Sequence, residues 1–206
     1  MKPRSIADGR YRPISTPFFP LILLFVILAA GCSQEPAEPL PVMGSIEIPY
    51  TFTDQDGNPF TQDMLSGRIH VADFFFTTCP TICPIMKTQM LRVYEAFHPN
   101  DELVLVSHSI DPEHDTVDVL HEYAAKLGIS TEYWYLLTGR KKEIYDTAKR
   151  YGLAALEDEN APGGFIHSGS FSLIDRNGQI RGYYKGTEEE SVDKLIRDIR
   201  RLLEEG

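Results

Sequence analysis

The sequence predicts an α/β domain with a mixed central sheet flanked by helices. Apolar runs of strand length alternate with amphipathic segments of helix length from residue 69 to residue 151. Such strand–helix–strand units pair their strands in parallel. Two later strands flank Asp175-Arg176-Asn177-Gly178, a turn sequence typical of a hairpin, which pairs its strands antiparallel.

The first elements are a short hairpin and a buried strand. Residues 52–54 and 58–60 flank Gln55-Asp56-Gly57, a turn sequence that predicts the hairpin. Residues 69–76 form an apolar and aromatic run interrupted only by His70 and Asp73, which predicts a strand buried on both faces. A helical pattern follows the cysteine segment 79–84. We expect its methionines, and the phenylalanines of the strand, to pack in the core. These residues are Phe74, Phe75, Phe76, Met86 and Met90.

Two further strand–helix units follow. Residues 103–110 predict a second buried strand, and residues 117–127 a helix that ends at Gly128. Residues 133–137 predict a third strand, and residues 140–151 a short helix that ends at Gly152. Together these units predict three strands that pair in parallel.

The C-terminal part contains the predicted hairpin and a final helix. Residues 153–164 are interpreted as an irregular insertion, and residues 168–174 and 179–184 as the two hairpin strands. Residues 191–203 predict an amphipathic helix, with the acidic run 187–190 at its N-terminal end. From residue 69 the order β-α-β-α-β-α-β-β-α is the order of a thioredoxin-like fold. In that fold, redox or metal-binding cysteines lie where the first core strand leads into its helix.

Composition and charge narrow the function classes. The 206 residues are 42% hydrophobic, enough for one domain with a substantial core. Thirty acidic residues against twenty basic ones give a net charge of −10 and no basic run beyond the first dozen residues, which argues against nucleic acid as a partner. Such a charge favours cationic or neutral partners.

The N-terminal segment is typical of an export signal. Basic residues precede an apolar run that is short for a transmembrane helix and ends in Leu28-Ala29-Ala30-Gly31-Cys32, which resembles a bacterial lipoprotein box. We therefore expect a signal peptide over 1–31, lipidation of Cys32, a flexible Pro- and Glu-rich tether over 32–45 and a domain over 46–206. The alternative is an uncleaved anchor helix. Both place the domain outside the cytoplasm, at the periplasmic side of a membrane.

Cys79 and Cys83 are the strongest candidates for chemistry, because the one other cysteine, Cys32, is assigned to the lipid. At a helix N-terminus, free N–H groups and the helix dipole favour thiolate over thiol. Two adjacent thiolates either bind a soft metal or close a disulfide. The Pro80-Thr81-Ile82 spacer is longer than the two residues of thioredoxin-type enzymes, which favours a metal site; an inert disulfide is the third alternative.

A metal site needs a third ligand, and six histidines are available. His70 lies at the far end of its strand, roughly 30 Å from the cysteines in extended geometry. His108, near a strand C-terminus, is a weak candidate. His167 follows the Pro162-Gly163-Gly164 segment, and loops of this kind bring ligands to preformed sites. His167 is therefore the preferred third ligand.

Four blocks resemble the Sco/SenC family of copper chaperones. The first is Asp73-Phe74-Phe75-Phe76-Thr77-Thr78-Cys79-Pro80-Thr81-Ile82-Cys83-Pro84. The others are Ser109-Ile110-Asp111-Pro112-Glu113-His114-Asp115-Thr116, Leu137-Thr138-Gly139 and His167-Ser168. Together they span about residues 46–204. One position departs from the pattern, because many relatives have an acidic residue directly before the histidine, where this chain has Ile166.

The resemblance implies a membrane-tethered, thioredoxin-like domain that binds copper through Cys79, Cys83 and His167. It further implies delivery of copper to the binuclear copper site of cytochrome c oxidase or to another extracytoplasmic cuproprotein, or reduction of that site's cysteines. Asp111 matches an acidic position near the family's site. Two thiolates and an imidazole suit Cu(I), and a fourth ligand would permit Cu(II).

The same cysteines are also compatible with two enzymatic functions. Cys79 and Cys83 could act as the redox pair of a thiol:disulfide oxidoreductase. A peroxide-reducing enzyme would need an arginine beside the attacking thiolate, and the nearest candidates in sequence are Arg68 and Arg92.

Overall fold

The computed structural model describes residues 38–47 and 51–205. The predicted signal peptide, the lipidation site Cys32 and the first part of the tether lie outside these residues and stay predictions. No helix within the described ranges has the length and apolar content needed to cross a membrane.

Ten strands and four helices make up the described part of the chain. The strands are β1 (Gly44–Ser45), β2 (Phe52–Thr53), β3 (Pro59–Phe60), β4 (Ile69–Phe75), β5 (Leu103–Ser109), β6 (Trp134–Leu137), β7 (Ala155–Glu157), β8 (Phe165–His167), β9 (Ser170–Ile174) and β10 (Gln179–Lys185). The α-helices are α1 (Cys83–Phe97), α2 (Val117–Leu127), α3 (Lys141–Arg150) and α4 (Glu189–Glu204). Short 3-10 turns occupy Gln62–Leu65 and Pro162–Gly164.

Six strands form one mixed sheet in the order β1-β10-β9-β4-β5-β6. The β4–β5 and β5–β6 pairs are parallel, whereas β9 is antiparallel to both β4 and β10. β4, β5, β6 and β10 therefore run in one direction, and β9 runs back between β4 and β10. This arrangement is a thioredoxin-like fold, and the prediction of a mixed α/β sheet is confirmed.

The core forms around the two central strands. Every residue of β4 and β5 is buried, as expected for parallel strands covered on both faces. The predicted core residues Phe74, Phe75, Phe76, Met86 and Met90 are at most 1% exposed. Helix α4 buries an apolar face, and its acidic first turn includes Glu189 and Glu190 as predicted.

Two boundaries differ from the sequence-based prediction. Residues 38–45, predicted as part of the tether, pack on the folded domain: Leu40 is buried, and β1 pairs with β10. The guanidinium of Arg181 donates hydrogen bonds to the carbonyls of Leu40 and Pro41, which holds this segment down. The sequence did not predict this packing, because it depends on one buried leucine and two backbone carbonyls within a Pro- and Glu-rich segment.

Residues 153–164 were predicted to be irregular, and this prediction is wrong in part. Residues 155–157 form β7, which pairs antiparallel with β8 in a separate two-stranded hairpin. A three-residue strand without an alternating pattern has no periodicity to detect. His167 is consequently the last residue of a strand instead of part of a loop.

Candidate metal centre

Cys79 and Cys83 lie where β4 ends and α1 begins. After Phe75 the chain turns, with the Cys79 N–H donating to the Phe76 carbonyl at 3.2 Å. Helix α1 starts at Cys83, and Pro84 occupies its first turn, where no N–H donor is needed. That turn has no acidic residue and no side-chain cap. Neither an acidic side chain of the first turn nor a capping side chain therefore competes with the sulfurs for the positive end of the helix dipole.

His167 reaches the same place from the β7–β8 hairpin. Along β8, Phe165 and His167 face inward and Ile166 faces outward, which follows from the alternation of side chains on a strand. The Phe165 and His167 rings pack on Phe76, with centroid separations of 5.1 and 5.9 Å. Before β8, Gly163 has φ +78° and lies so close to Phe76 that a Cβ would be 2.8 Å from its ring. A glycine is required at this contact.

The structure brings the three predicted ligands together. The Nε2 atom of His167 lies 3.0 Å from Cys83 Sγ and 4.0 Å from Cys79 Sγ. All three donor atoms lie within 4.8 Å of one another, and the three residues are buried. They form the one group of three or more His, Cys, Asp or Glu side chains in the described ranges that could hold a metal ion.

The two thiols differ in their acidity. Burial opposes ionisation of Cys79, but hydrogen bonds from His167 and from the backbone amides of Thr81 and Cys83 outweigh it and lower the pKa of the Cys79 thiol to about 6. Burial raises the pKa of Cys83 far above its usual range, and a neighbouring Cys79 thiolate raises it further. In the metal-free reduced protein, Cys79 is therefore the more acidic of the two thiols and the one that ionises first.

The imidazole of His167 is oriented for ligation by Nε2. Its Nδ1 lies 3.1 Å from the Ser168 carbonyl, an acceptor, so Nδ1 carries the proton and donates. Nε2 is then the ring nitrogen that faces the sulfurs. It hydrogen-bonds to them in the metal-free protein and would give its lone pair to a bound metal ion. Backbone carbonyls commonly fix the tautomer of metal-ligating histidines in this way.

The donor set fits a soft, low-coordinate metal ion. Two thiolates and one imidazole within 4.8 Å match the ligand preference of Cu(I). A structural zinc site is normally closed by four protein ligands, and three are present among the described residues. An open three-ligand site permits the metal to leave.

A buried carboxylate, Asp115, holds the cysteine loop and was missed by the sequence analysis. Its two oxygens accept hydrogen bonds from Thr77 N at 3.0 Å, Thr77 Oγ1 at 2.5 Å and Ser109 Oγ at 2.5 Å. The His114 Nδ1 lies 3.0 Å from the same carboxylate and donates to it. Because Thr77 is two residues before Cys79, Asp115 fixes the start of the cysteine loop to the end of β5.

Asp111, the acidic residue predicted near the site, makes its hydrogen bonds within the β5–α2 loop and with the end of β5. Its carboxylate accepts from the His114 N–H at 3.4 Å, and its own N–H donates to Ser109 Oγ. Among the contacts of the described residues, none joins Asp111 to either sulfur or to His167. Its role near the metal stays a prediction.

Lys87 is a second feature that sequence analysis missed. It follows Cys83 by one helical turn and is 2% exposed, although a helical lysine is normally solvated. Its ammonium donates to Asp73 at 3.0 Å and to Ser107 at 2.9 Å and lies 3.9 Å from the centroid of the Phe75 ring. Its positive charge favours ionisation of Cys83.

The other histidines and arginines are engaged elsewhere. The weak candidate His108 is buried between the rings of Phe52 and Phe74, outside the ligand cluster. His70 lies at the opposite end of β4, with its Nε2 3.1 Å from the Tyr151 hydroxyl. Arg68 donates to the Asp101 carbonyl and Arg92 to Asp193, so neither guanidinium serves the thiolates as a peroxide-reducing site would require.

Comparison with known proteins agrees with this geometry. The family model described as SCO1/SenC matches residues 40–204. The chain belongs to the SCO1/SenC family. This match includes the folded segment before residue 46, in agreement with the packing of Leu40.

Three solved structures show how close the similarity is. A SCO1/SenC family lipoprotein from Bacillus anthracis is 36% identical, with a TM-score of 0.70 over 78% of this chain and 95% of that one. BsSco, described as having a disulfide switch and as a member of the Sco family of cytochrome c oxidase assembly proteins, is 30% identical, with a TM-score of 0.69 over 80% and 98%. Bradyrhizobium japonicum ScoI, solved with copper bound, is 26% identical, with a TM-score of 0.60 over 72% and 96%.

Proposed function

We propose that this SCO1/SenC protein binds copper through Cys79, Cys83 and His167 and delivers it outside the cytoplasm to the binuclear copper site of cytochrome c oxidase. The observation that carries the proposal is the convergence of three donor atoms within 4.8 Å, one from the loop before α1, one from the first residue of α1 and one from β8. Relatives described as copper-bound and as oxidase assembly proteins support it.

Membrane attachment is part of the proposal. Export directed by residues 1–31 and lipidation of Cys32 would place the lipid a few residues before Glu38, whose carbonyl accepts a hydrogen bond from Arg201 of the domain. A relative described as a lipoprotein supports this arrangement. Radiolabelled palmitate incorporation into the wild type, and its loss in Cys32→Ser, tests it.

An anaerobic Cu(I) titration against a competing chelator tests the copper site. We expect the reduced full-length chain in detergent to bind one equivalent, and His167→Ala to bind it at least about 100-fold more weakly, because a ligand is lost. His121→Ala is the control, since His121 is exposed and pairs with Asp56 away from the site. Equal affinity in wild type and His167→Ala would contradict the proposed ligand set.

A thiol:disulfide oxidoreductase is the second candidate, and the lowered pKa of Cys79 beside a second free thiol favours it. A reduced Cys79 thiolate would attack a partner disulfide, and Cys83 would resolve the mixed disulfide, so that the partner gains two electrons and this chain a disulfide. If this is the function, His167→Ala should still reduce a model disulfide, at a rate that does not depend on copper. The step in which Cys83 resolves the mixed disulfide should be as fast as in the wild type. A rate no higher than that of a free thiol would reject it.

A further inference from the structure

All segments that surround the metal centre lie at one end of the sheet. Because β4, β5 and β10 run in the same direction, the loops that follow them share an end, and the residues before the antiparallel β9 join them there. Close approaches agree with this arrangement. A Cβ atom built on Gly169 would lie 3.6 Å from the Ile82 side chain and 3.9 Å from the Thr187 side chain.

Exposed apolar side chains are concentrated around this centre. Of the six large hydrophobic side chains that are exposed in the described ranges, three are here: Ile85 at 48%, Leu156 at 44% and Ile166 at 40%. Leu156 and Ile166 are cross-strand partners on the outer face of the hairpin whose inner face carries His167. Together with the exposed Pro80 and Pro84 of the cysteine segment, these three residues are termed the apolar collar.

Acidic side chains from three separate segments lie at the same end of the sheet as the apolar collar. The acidic rim consists of exposed glutamates from the β5–α2 loop, the β7–β8 hairpin and the start of α4, namely Glu113, Glu157, Glu159, Glu188, Glu189 and Glu190. Three basic side chains pair with four of these six glutamates. Lys141 bridges Glu113 and Glu157, Lys185 pairs with Glu188, and Arg92 lies 3.8 Å from Glu189. The rim therefore keeps a net negative charge.

A protein that exchanges copper with this site must cover this surface. Cys79 and His167 are each 8% exposed and Cys83 is 2% exposed, so incoming ligands reach the metal only by close approach to the cysteine segment and the hairpin. Protein interfaces commonly combine such a desolvated apolar centre with a charged rim that steers association.

We propose that the apolar collar and acidic rim dock a copper-exchanging protein whose own thiolate ligands lie in an apolar surface surrounded by lysine and arginine. This inference rests on the proposed copper function and adds the chemistry of the partner. Copper transfers as Cu(I) without a change of oxidation state. Each Cu–S bond to Cys79 or Cys83 that breaks is replaced by a bond to an acceptor thiolate, and the Cu–N bond to His167 breaks as the copper leaves. The protons that the acceptor thiols release pass to the freed ligands or to solvent.

Stopped-flow transfer of Cu(I) from the loaded full-length chain to synthetic acceptor peptides tests the proposal. The peptides share one Cys-x-x-x-Cys ligand pair and differ in flanking residues: leucine with lysine, leucine with glutamate, or serine with lysine. We expect the Leu–Lys peptide to accept copper at least about tenfold faster than the Leu–Glu peptide at low salt, with the difference reduced to about twofold at 0.5 M salt. The Ser–Lys peptide should be slower than the Leu–Lys peptide at both salt concentrations.

Variants separate docking from copper binding. Leu156→Ser/Ile166→Ser should slow transfer to the Leu–Lys peptide about fivefold and leave the Cu(I) affinity unchanged. The unchanged affinity would also show that the metal centre of the variant is correctly folded. Val42→Ser/Met43→Ser is the matched control, because these exposed side chains adjoin β1, which pairs with the start of β10 at the other end of the sheet.

The outcomes are distinguishable. Equal rates of Cu(I) transfer from the wild-type chain to the three peptides would overturn the docking proposal. The same salt dependence of these rates for all three peptides would also overturn it. Failure of the wild-type chain to take up Cu(I) at the loading step overturns the proposed function, and the docking proposal with it.

Discussion

Lys87, one turn of α1 after Cys83, forms a buried ion pair with Asp73, with Nζ and Oδ2 3.0 Å apart and the two side chains 3% and 0% exposed. Ser107 bonds to both partners and also accepts a hydrogen bond from the Trp134 indole at 2.9 Å. A buried pair of this kind contributes little net stability over an apolar pair, but the loss of one partner is costly.

Lys87→Met should therefore destabilise the protein by about 3–5 kcal/mol, because it leaves the Asp73 carboxylate buried without a counter-charge. Lys87→Met/Asp73→Leu should recover most of that loss, since no uncompensated charge remains. Urea unfolding of the wild type, both single variants and the double variant measures the coupling between the two residues. Additive effects of the single variants would show that the pair does not act as a unit.

Gly163 and Gly164 provide a matched test of the hairpin contact. Both have positive φ, +78° and +83°, so alanine costs about 1–2 kcal/mol of backbone strain at either position. Only at Gly163 would the new methyl group meet Phe76, at 2.8 Å, and Pro80, at 3.4 Å. We expect a larger loss of stability in Gly163→Ala, which adds this clash to the strain that both variants share. We expect a lower Cu(I) affinity in Gly163→Ala alone, because the β7–β8 hairpin must move away from the cysteine segment.

Asp115→Asn should weaken copper binding without removing a ligand. The amide replaces one acceptor oxygen by a donor that faces the Thr77 N–H, the Thr77 hydroxyl or Ser109, so at least one hydrogen bond is lost and the cysteine loop loosens. We expect a loss of about tenfold in Cu(I) affinity. Asp118→Asn, at an exposed carboxylate in the first turn of α2, is the control; an equal loss in both variants would argue against loop positioning.

The two cysteines should react at different rates in the reduced, metal-free protein. Cys79, with a thiol pKa of about 6, should be alkylated by iodoacetamide at pH 7, whereas Cys83 should react slowly because burial raises its pKa. Peptide mapping after timed quenching gives both rates. In His167→Ala the Cys79 rate should fall at pH 7, since a hydrogen bond to its thiolate is lost.

Two buried histidines should make the protein less stable as the pH falls. Burial lowers the pKa of His70 and of His108 to about 3, compared with about 6.5 in the unfolded chain. Between pH 6.5 and pH 3 the unfolded state binds protons that the folded state does not. The free energy of unfolding therefore decreases by about 1.4 kcal/mol per pH unit for each histidine over this window.

His108→Phe tests this dependence. A phenylalanine ring suits the aromatic contacts of His108 with Phe52 and Phe74 and cannot be protonated. Urea unfolding at pH 5 and pH 6 should give a slope reduced by the contribution of one histidine. His121→Gln, at an exposed histidine, should leave the slope nearer that of the wild type. An unchanged slope in His108→Phe would contradict the assigned pKa.

Long periodic elements were predictable from the sequence, and elements defined by tertiary contacts were not. The apolar run of β4 and the glycine that ends α2, Gly128 with φ +67°, are local signals, and both agree with the structure. The strand β7 has three residues and is ordered by its pairing with β8. Its formation depends on contacts that no short window of sequence contains.

At the metal centre, too, the residues with a local sequence signal were predictable and those positioned by tertiary contacts were not. Cys79 and Cys83 were identified from their position before a helix, and His167 from the glycine-rich turn that precedes it. Lys87 and Asp115 gave no such signal, because a lysine and an aspartate on helical or loop segments are solvated in most proteins. Only the fold shows that both are buried around the site, at 2% and 0% exposure.

The antiparallel course of β9 between β4 and β10 also determines when the site can exist. His167 is 88 residues from Cys79 and 84 from Cys83, so during synthesis both cysteines emerge long before the third ligand. Even after residue 167 emerges, the histidine is positioned only when β9 has paired with β4. A nascent or unfolded chain thus offers copper two thiols but not the complete ligand set, and tight loading is delayed until folding is finished.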